Sequence, residues 1–352
     1  MLFIGLWMLT LSTQAQVDSL YIQEFPNKLV LSPYISSVVH NLNLTPRPIS
    51  GDTMQQALNY QPNLRGGFGI GISYRVIDFS LGFRQKISEE SERLYGKTKA
   101  TSLSFRLWAT RHILGEFTFQ KVQGYSNRST PAYDTLNFDR NYPYELREDM
   151  RVTYVKVRGV YQFNPHKFSY RSSFSFSERQ KRSAGGLLLN GSLYSHRARA
   201  DSSFIPSAVR SDYGDYGDIK TMQIIGMGFG PGIGGTWTKG RWYLTGVLFL
   251  GMDIQYFLYD IPGVDTEKRE FKLSNMLDSR FSFGYNGPRF FIGFQNCNDY
   301  TILRPTAFHI NSLFGRGLFT FGWRLESPKL LDKTYDTGVN LIIPTRYHKF
   351  FY

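Results

Sequence analysis

A single cysteine, Cys297, occurs among the 352 residues, so the chain can form no internal disulfide and no multi-cysteine zinc or iron–sulfur site. No metal or other cofactor is expected. Beyond residue 16 no apolar run approaches the ~20 residues that a membrane helix needs, which excludes transmembrane helices from the rest of the chain. Carboxylates are also scarce: 28 acidic residues face 41 basic ones, a formal net charge of +13. A basic excess acts on any polyanion. Here it lies on no helix-periodic face and accompanies no recognition-helix or zinc-finger pattern, so nucleic acid is not an expected partner.

Aromatic residues make up 16% of the chain, while hydrophobic residues in total reach only 41%. The N-terminal MLFIGLWMLTLSTQAQ sets an apolar block before small and polar residues, the layout of a secretory signal peptide over 1–16, though without a basic leading region. The remainder of the chain alternates repeatedly with period 2. In DFSLGFRQK, with Ile77 before it, Ile77, Phe79, Leu81 and Phe83 oppose Asp78, Ser80, Gly82 and Arg84. In VTYVKVRGVYQF, Val155, Val157, Tyr161 and Phe163 oppose Tyr154, Lys156, Arg158 and Gln162. FSYRSSFSFS aligns Phe168, Tyr170, Phe174 and Phe176 against Arg171, Ser173 and Ser175.

Strands are expected near 28–40, 64–75, 76–86, 98–110, 113–125, 149–163, 168–178, 184–197, 219–238, 241–258, 270–286, 289–299 and 311–325. Short connections such as 164–167 and 286–289 alternate with long polar ones such as 126–149 and 198–218. Repeated alternating segments of this kind, with short turns on one rim and long loops on the other, predict an all-β, transmembrane, antiparallel up-and-down barrel over 17–325. The count is odd, whereas single-chain bacterial barrels are normally even. The region 168–197 is the expected place of the miscount, giving about 12 strands, with 14 if the tail adds one; 326–352 otherwise reads as a periplasmic tail. A soluble β-sandwich also alternates, but its strands average ~5–6 residues, and Arg or Lys at strand centres opposite aromatic rows fits lipid outside and water inside.

The segments YQPNLRGGFGIGISYR (Tyr60 to Arg75) and FSERQKRSAGG (Phe176 to Gly186), with the SPKLLDK tail, resemble an uncharacterised Bacteroidota family catalogued as domain of unknown function 4421. The resemblance spans roughly residues 20 to 345. It implies a porin-like outer-membrane barrel of a Gram-negative bacterium, surrounded by outer-membrane lipid and lipopolysaccharide, and it carries no reaction with it.

Two kinds of function remain open. The first is a structural or passive-transport role, or one accessory to a surface or secretion complex. Its candidate residues are an inward charged cluster of Arg84, Arg106, Lys156, Arg158, Arg171 and Arg280, with Glu178, Gln180 and Arg182 joining it if the ERQKR run turns into the lumen rather than forming a solvated loop. Inward Asp78, Glu116, Asp253 and Asp278 are fewer, so the interior either favours anions or closes by pairing. The second is a membrane-embedded lipid hydrolase or acyl-modifying enzyme. Only i, i+2 and i+4 spacings share a strand face, which leaves Ser192 with His196, and His309 with Asn311, as usable pairs. The Gly226–Gly235 run precedes no helix, so it is no phosphate cradle; it is expected to permit bending and close packing.

Overall fold

In the computed structural model, residues 17–46, 56–64, 66–134, 142, 144–262, 268–303 and 308–342 are described. The segment 1–16, where a signal peptide is expected, and the terminal residues 343–352 lie outside them. The strands are β1 (Ile22–Glu24), β2 (Lys28–Pro46), β3 (Leu58–Gln61), β4 (Gly67–Tyr74), β5 (Ile77–Arg84), β6 (Lys99–Trp108), β7 (Ile113–Asn127) and β8 (Glu145–Gln162). They continue as β9 (Glu178–Gln180), β10 (Ala184–Arg199), β11 (Thr221–Lys239), β12 (Trp242–Asp260), β13 (Lys268–Asn286), β14 (Phe290–Leu303) and β15 (Phe308–Glu326). Helices are α1 (Glu89–Tyr95), α2 (Thr130–Tyr133), α3 (Arg171–Phe174), a 3₁₀ segment (Ser207–Tyr216) and α4 (Lys329–Ile342).

Every wall strand pairs antiparallel with its neighbours, and β15 returns to pair with β2 from Phe308↔Pro46 to Glu326↔Lys28, closing the sheet into a barrel. Closure leaves no backbone edge, which is what a hydrocarbon environment demands. Twelve long strands form this wall. β4 and β5 have eight residues each and β6 has ten, so β2 and β7 outrun them towards the long-loop rim. The short β3 bridges that gap, pairing Tyr60 with Leu42 of β2 and with Asn127 of β7.

The alternation decides which side each residue meets. On β11 and β12, Met227, Phe229, Ile233, Leu250 and Met252 are exposed outward, while Ile224, Thr236, Phe249 and Asp253 are buried inward. Trp237, Trp242, Tyr285, Phe290 and Trp323 ring the outer wall near the short-turn rim, an aromatic girdle of the kind found at a membrane boundary.

The expectation of a wall strand over 168–178 is overturned. That stretch folds back through the short-turn rim into the lumen, so 164–167 is no turn between two wall strands. Phe168, Tyr170, Phe174 and Phe176 are buried inside the barrel and lie on no outer face. Segment 168–178 was the surplus among the thirteen expected strands, and its removal restores the even count. Alternation of aromatics with serines imitated a strand because the segment is buried on all sides, its rings packing and its hydroxyls bonding in turn.

Candidate functional site: a plugged lumen

Irregular backbone inside a barrel must find partners for every peptide group, and here the inward side chains of the wall supply them. Gln162 donates to the Phe168 carbonyl at 2.9 Å, and Asn286 donates to the carbonyls of Ser172 at 2.8 Å and Glu178 at 3.1 Å. The Ser173 carbonyl accepts from Ser282 (3.1 Å) and Gln295 (3.0 Å), while its hydroxyl meets that of Thr245 at 2.6 Å. Arg106 holds the Phe174 carbonyl at 2.9 Å, and Arg324 holds that of Phe176 at 2.8 Å. Phe176 turns the chain in the left-handed region, φ 57°, an unusual conformation for a bulky residue. Its ring stacks on Phe291 at 4.1 Å, which keeps that turn in place.

The β1 strand seals the same rim. β1 pairs with β9 from Ile22↔Gln180 to Glu24↔Glu178, and Glu24 forms an ion pair with Arg111. The Ser169 hydroxyl donates to Glu178 at 2.5 Å. Gln180 accepts from the Ser169 amide at 2.9 Å and donates to the carbonyls of Lys167 and Arg182.

Above the plug lies a belt of paired charges. Glu116 meets Arg106 at 2.9 Å and Arg158 at 3.5 Å; Asp278 meets Lys156 at 3.5 Å and Arg158 at 3.8 Å; Asp299 meets Lys156 at 3.0 Å and Arg280 at 2.5 Å. Tyr194 donates to Asp253 at 2.5 Å and Gln255 does so at 2.8 Å. A cavity of about 50 Å³ remains between plug and belt, lined by Asp78, Arg106, Gln295 and Arg316 among others. Towards the long-loop rim the interior turns apolar: Tyr60, Val122, Met150, Phe204, Tyr213, Met222 and Phe257 pack into one buried cluster under the 200–219 loop. The lumen is thus filled at three levels, by plug, ion pairs and apolar cap.

A family profile described as Domain of unknown function (DUF4421) matches residues 16–325. The chain belongs to the DUF4421 family. No curated protein matches it. Among solved structures it is similar to the outer-membrane protease OmpT of Escherichia coli, at 8% identity and a TM-score of 0.40, covering 86% of this chain and 98% of that one. The translocator domain of the autotransporter NalP from Neisseria meningitidis gives 7% identity and 0.33, covering 92% and 95%. The toluene transporter TodX of P. putida gives 8% and 0.28, covering 86% and 92%.

In this DUF4421 barrel the motif residues are anchors. The Tyr60 hydroxyl donates to the Phe204 carbonyl, fixing the 200–219 loop over the mouth. Asn63 donates to the carbonyls of Ser91 and Gly96, pinning the α1 loop. Glu178 and Gln180 pin the plug, whereas Arg182 is exposed at the rim. Of the other expected lumen residues, Arg106, Lys156, Arg158 and Arg280 join the charge belt. Arg171 lies in the plug over the Trp108 ring at 5.3 Å. Arg84 lies apart, near the long-loop rim, donating to the Asn63 carbonyl at 3.1 Å.

Ser192 and His196 are both buried on the inward face of β10. Four residues of strand separate them by roughly 13 Å, with Tyr194 between them, and no hydrogen bond joins them. The Nδ1 atom of His196 has no hydrogen-bond partner among the described residues. His309 and Asn311 lie on β15, paired with Thr45 and Asn43 of β2; their side chains lie outside the described residues. Sequence reading did not single out Asp299, Tyr194 or Arg316. The parity of Gln295, Cys297 and Asp299 on β14 was the signal for the first, hidden by placing the strand's end at 299.

Proposed function

We propose that this DUF4421 chain is an outer-membrane barrel with a structural or accessory role, its lumen closed to free diffusion at rest. A signal peptide over 1–16 delivers it, outer-membrane lipid and lipopolysaccharide surround it, and its long loops present a surface to a partner complex. The observation that carries the closed state is the 168–180 plug, whose backbone is bonded to wall side chains around the lumen. Passive transport requires that plug to move. The alternative of a lipid hydrolase or acyl-modifying enzyme finds less support, because Tyr194 stands between Ser192 and His196.

Planar-bilayer recording tests the reading. The intact protein gives no sustained conductance, and replacing 168–180 by a short Gly-Ser turn raises it. Sustained conductance from the intact chain would overturn the closed state.

A further inference from the structure

The helix α4 comes directly after β15, and what it covers is unexpected. On β4, Phe68, Ile70 and Ile72 point outward and are 55%, 39% and 37% exposed. Tyr74 continues that outward row by strand parity, yet it is only 6% exposed. What buries it is α4. The Tyr74 hydroxyl donates to Asp332, its ring meets Tyr335 edge-on at 5.4 Å, and Arg75 donates to Asp336 at 2.6 Å. The helix therefore lies against the outside of the wall, not beneath the lumen.

The 3.6-residue period sorts its other residues around that contact. Leu330 and Leu341 fall on the side directly opposite Asp332 and are 76% and 84% exposed. Lys329, Lys333 and Asn340 fall on one flank, Leu331 on the other. A helix docked on a barrel's outer wall, with two leucines among the exposed Thr334 and Thr337 on the side away from the wall and ammonium groups along one flank, matches an interfacial helix. Its level agrees: Trp323 of the aromatic girdle lies six positions before Lys329 on the same chain.

We infer that α4 lies in the phospholipid leaflet at the short-turn rim, with Leu330 and Leu341 in the acyl boundary and Lys329 and Lys333 at anionic headgroups. The occupant of this face is lipid because the face continues the outward apolar surface of β15, where Phe321, Trp323 and Leu325 are exposed. The inference rests on the membrane reading and adds a peripheral lipid contact to it.

The test uses the full chain in a Cys297→Ser background, reconstituted in phosphatidylcholine–phosphatidylglycerol vesicles with brominated acyl chains. Single cysteines replace Leu330, Leu341, Lys333 and, on the outer wall, Leu250, each carrying a bimane label, and heat-modifiable migration confirms folding. Bromolipid quenches Leu330→Cys and Leu341→Cys as strongly as Leu250→Cys, and Lys333→Cys several-fold less. Quenching at Leu250→Cys without quenching at Leu330→Cys and Leu341→Cys overturns the helix placement alone. Absence of quenching at all four overturns the membrane reading itself.

Discussion

Asp78 of β5 accepts a hydrogen bond from the indole N–H of Trp108 on β6 at 3.2 Å, so two adjacent wall strands share one inward carboxylate. The Ser175 hydroxyl of the plug donates to the same oxygen. This carboxylate latches the plug to the wall.

Asp78→Ala orphans a buried indole N–H and a buried hydroxyl, at about 1–3 kcal/mol for each unsatisfied group. The expected outcome is a lower urea midpoint for the folded, fast-migrating species, together with intermittent conductance as the plug loosens. Asp78→Asn retains an acceptor oxygen and loses less. Unchanged midpoint and silence in the bilayer for Asp78→Ala would remove the latch.

Asp278→Ala leaves Lys156 and Arg158 short of a carboxylate and removes the acceptor of Asn190, 3.1 Å away. Removing one partner of a buried charge set costs about 3–5 kcal/mol, because the remaining charges stay desolvated. Combining it with Lys156→Met restores part of that loss. A double variant as unstable as the sum of the two single variants would mean that the two side chains do not interact.

The barrel itself was legible because the two sides of the wall differ in polarity and so write one parity along strand after strand, as in Lys156 and Arg158 against Val155 and Val157. The plug was not. Its Phe168-Ser-Tyr and Ser173-Phe-Ser-Phe176 pattern has the same period, and only the partners across the lumen, such as Thr245, Asn286 and Gln295, reveal that its serines are buried as well as its aromatics. Local parity speaks to inward charges only one strand at a time. Their pairing depends on register between distant strands, such as Lys156 on β8 with Asp299 on β14, which no local pattern encodes.

Gly226, Gly228, Gly230, Gly232 and Gly234 of β11 share the inward parity. A Cβ at Gly226 would lie 2.1 Å from the Tyr194 ring, whereas one at Gly191 would meet nothing within 4 Å. Gly226→Val therefore displaces Tyr194 from Asp253, at about 1–3 kcal/mol for overpacking, with a larger loss if Asp253 is left unpaired. Gly191→Ala is close to neutral. Thermal unfolding in detergent micelles compares the two, and equal midpoints would contradict the packing described.

Acid loosens α4. The hydroxyls of Ser327 and Tyr74 donate to Asp332 and hold its carboxyl below the ordinary carboxylate range. Arg75 faces it from the β4–β5 turn, with Tyr335 and Asp336 beside it on the helix. A depressed folded value means that its contribution is complete above the unfolded carboxyl pKa of ~3.9 and is lost as pH falls through the folded one. A spin label at Leu341→Cys, in the Cys297→Ser background, stays immobile from about pH 8 to 5 and gains mobility below about pH 4. Asp332→Asn flattens that profile; an unaltered profile would assign the transition to another group.

The outer wall offers the sharpest test of lipid contact. Leu250 sits midway along β12 and is 57% exposed, next to Phe249, which is fully buried inside. Arginine on the lipid face at the bilayer midplane costs about 2–4 kcal/mol, falling to about 0–1 near the interfaces. Leu250→Arg should thus destabilise the barrel by that amount in phospholipid vesicles, and Trp242→Arg, at the short-turn rim, by much less. In water the ranking would vanish, since an exposed arginine costs nothing at either position. Equilibrium unfolding in vesicles reads the difference, and equal stability of the two variants would contradict a hydrocarbon belt around the strands.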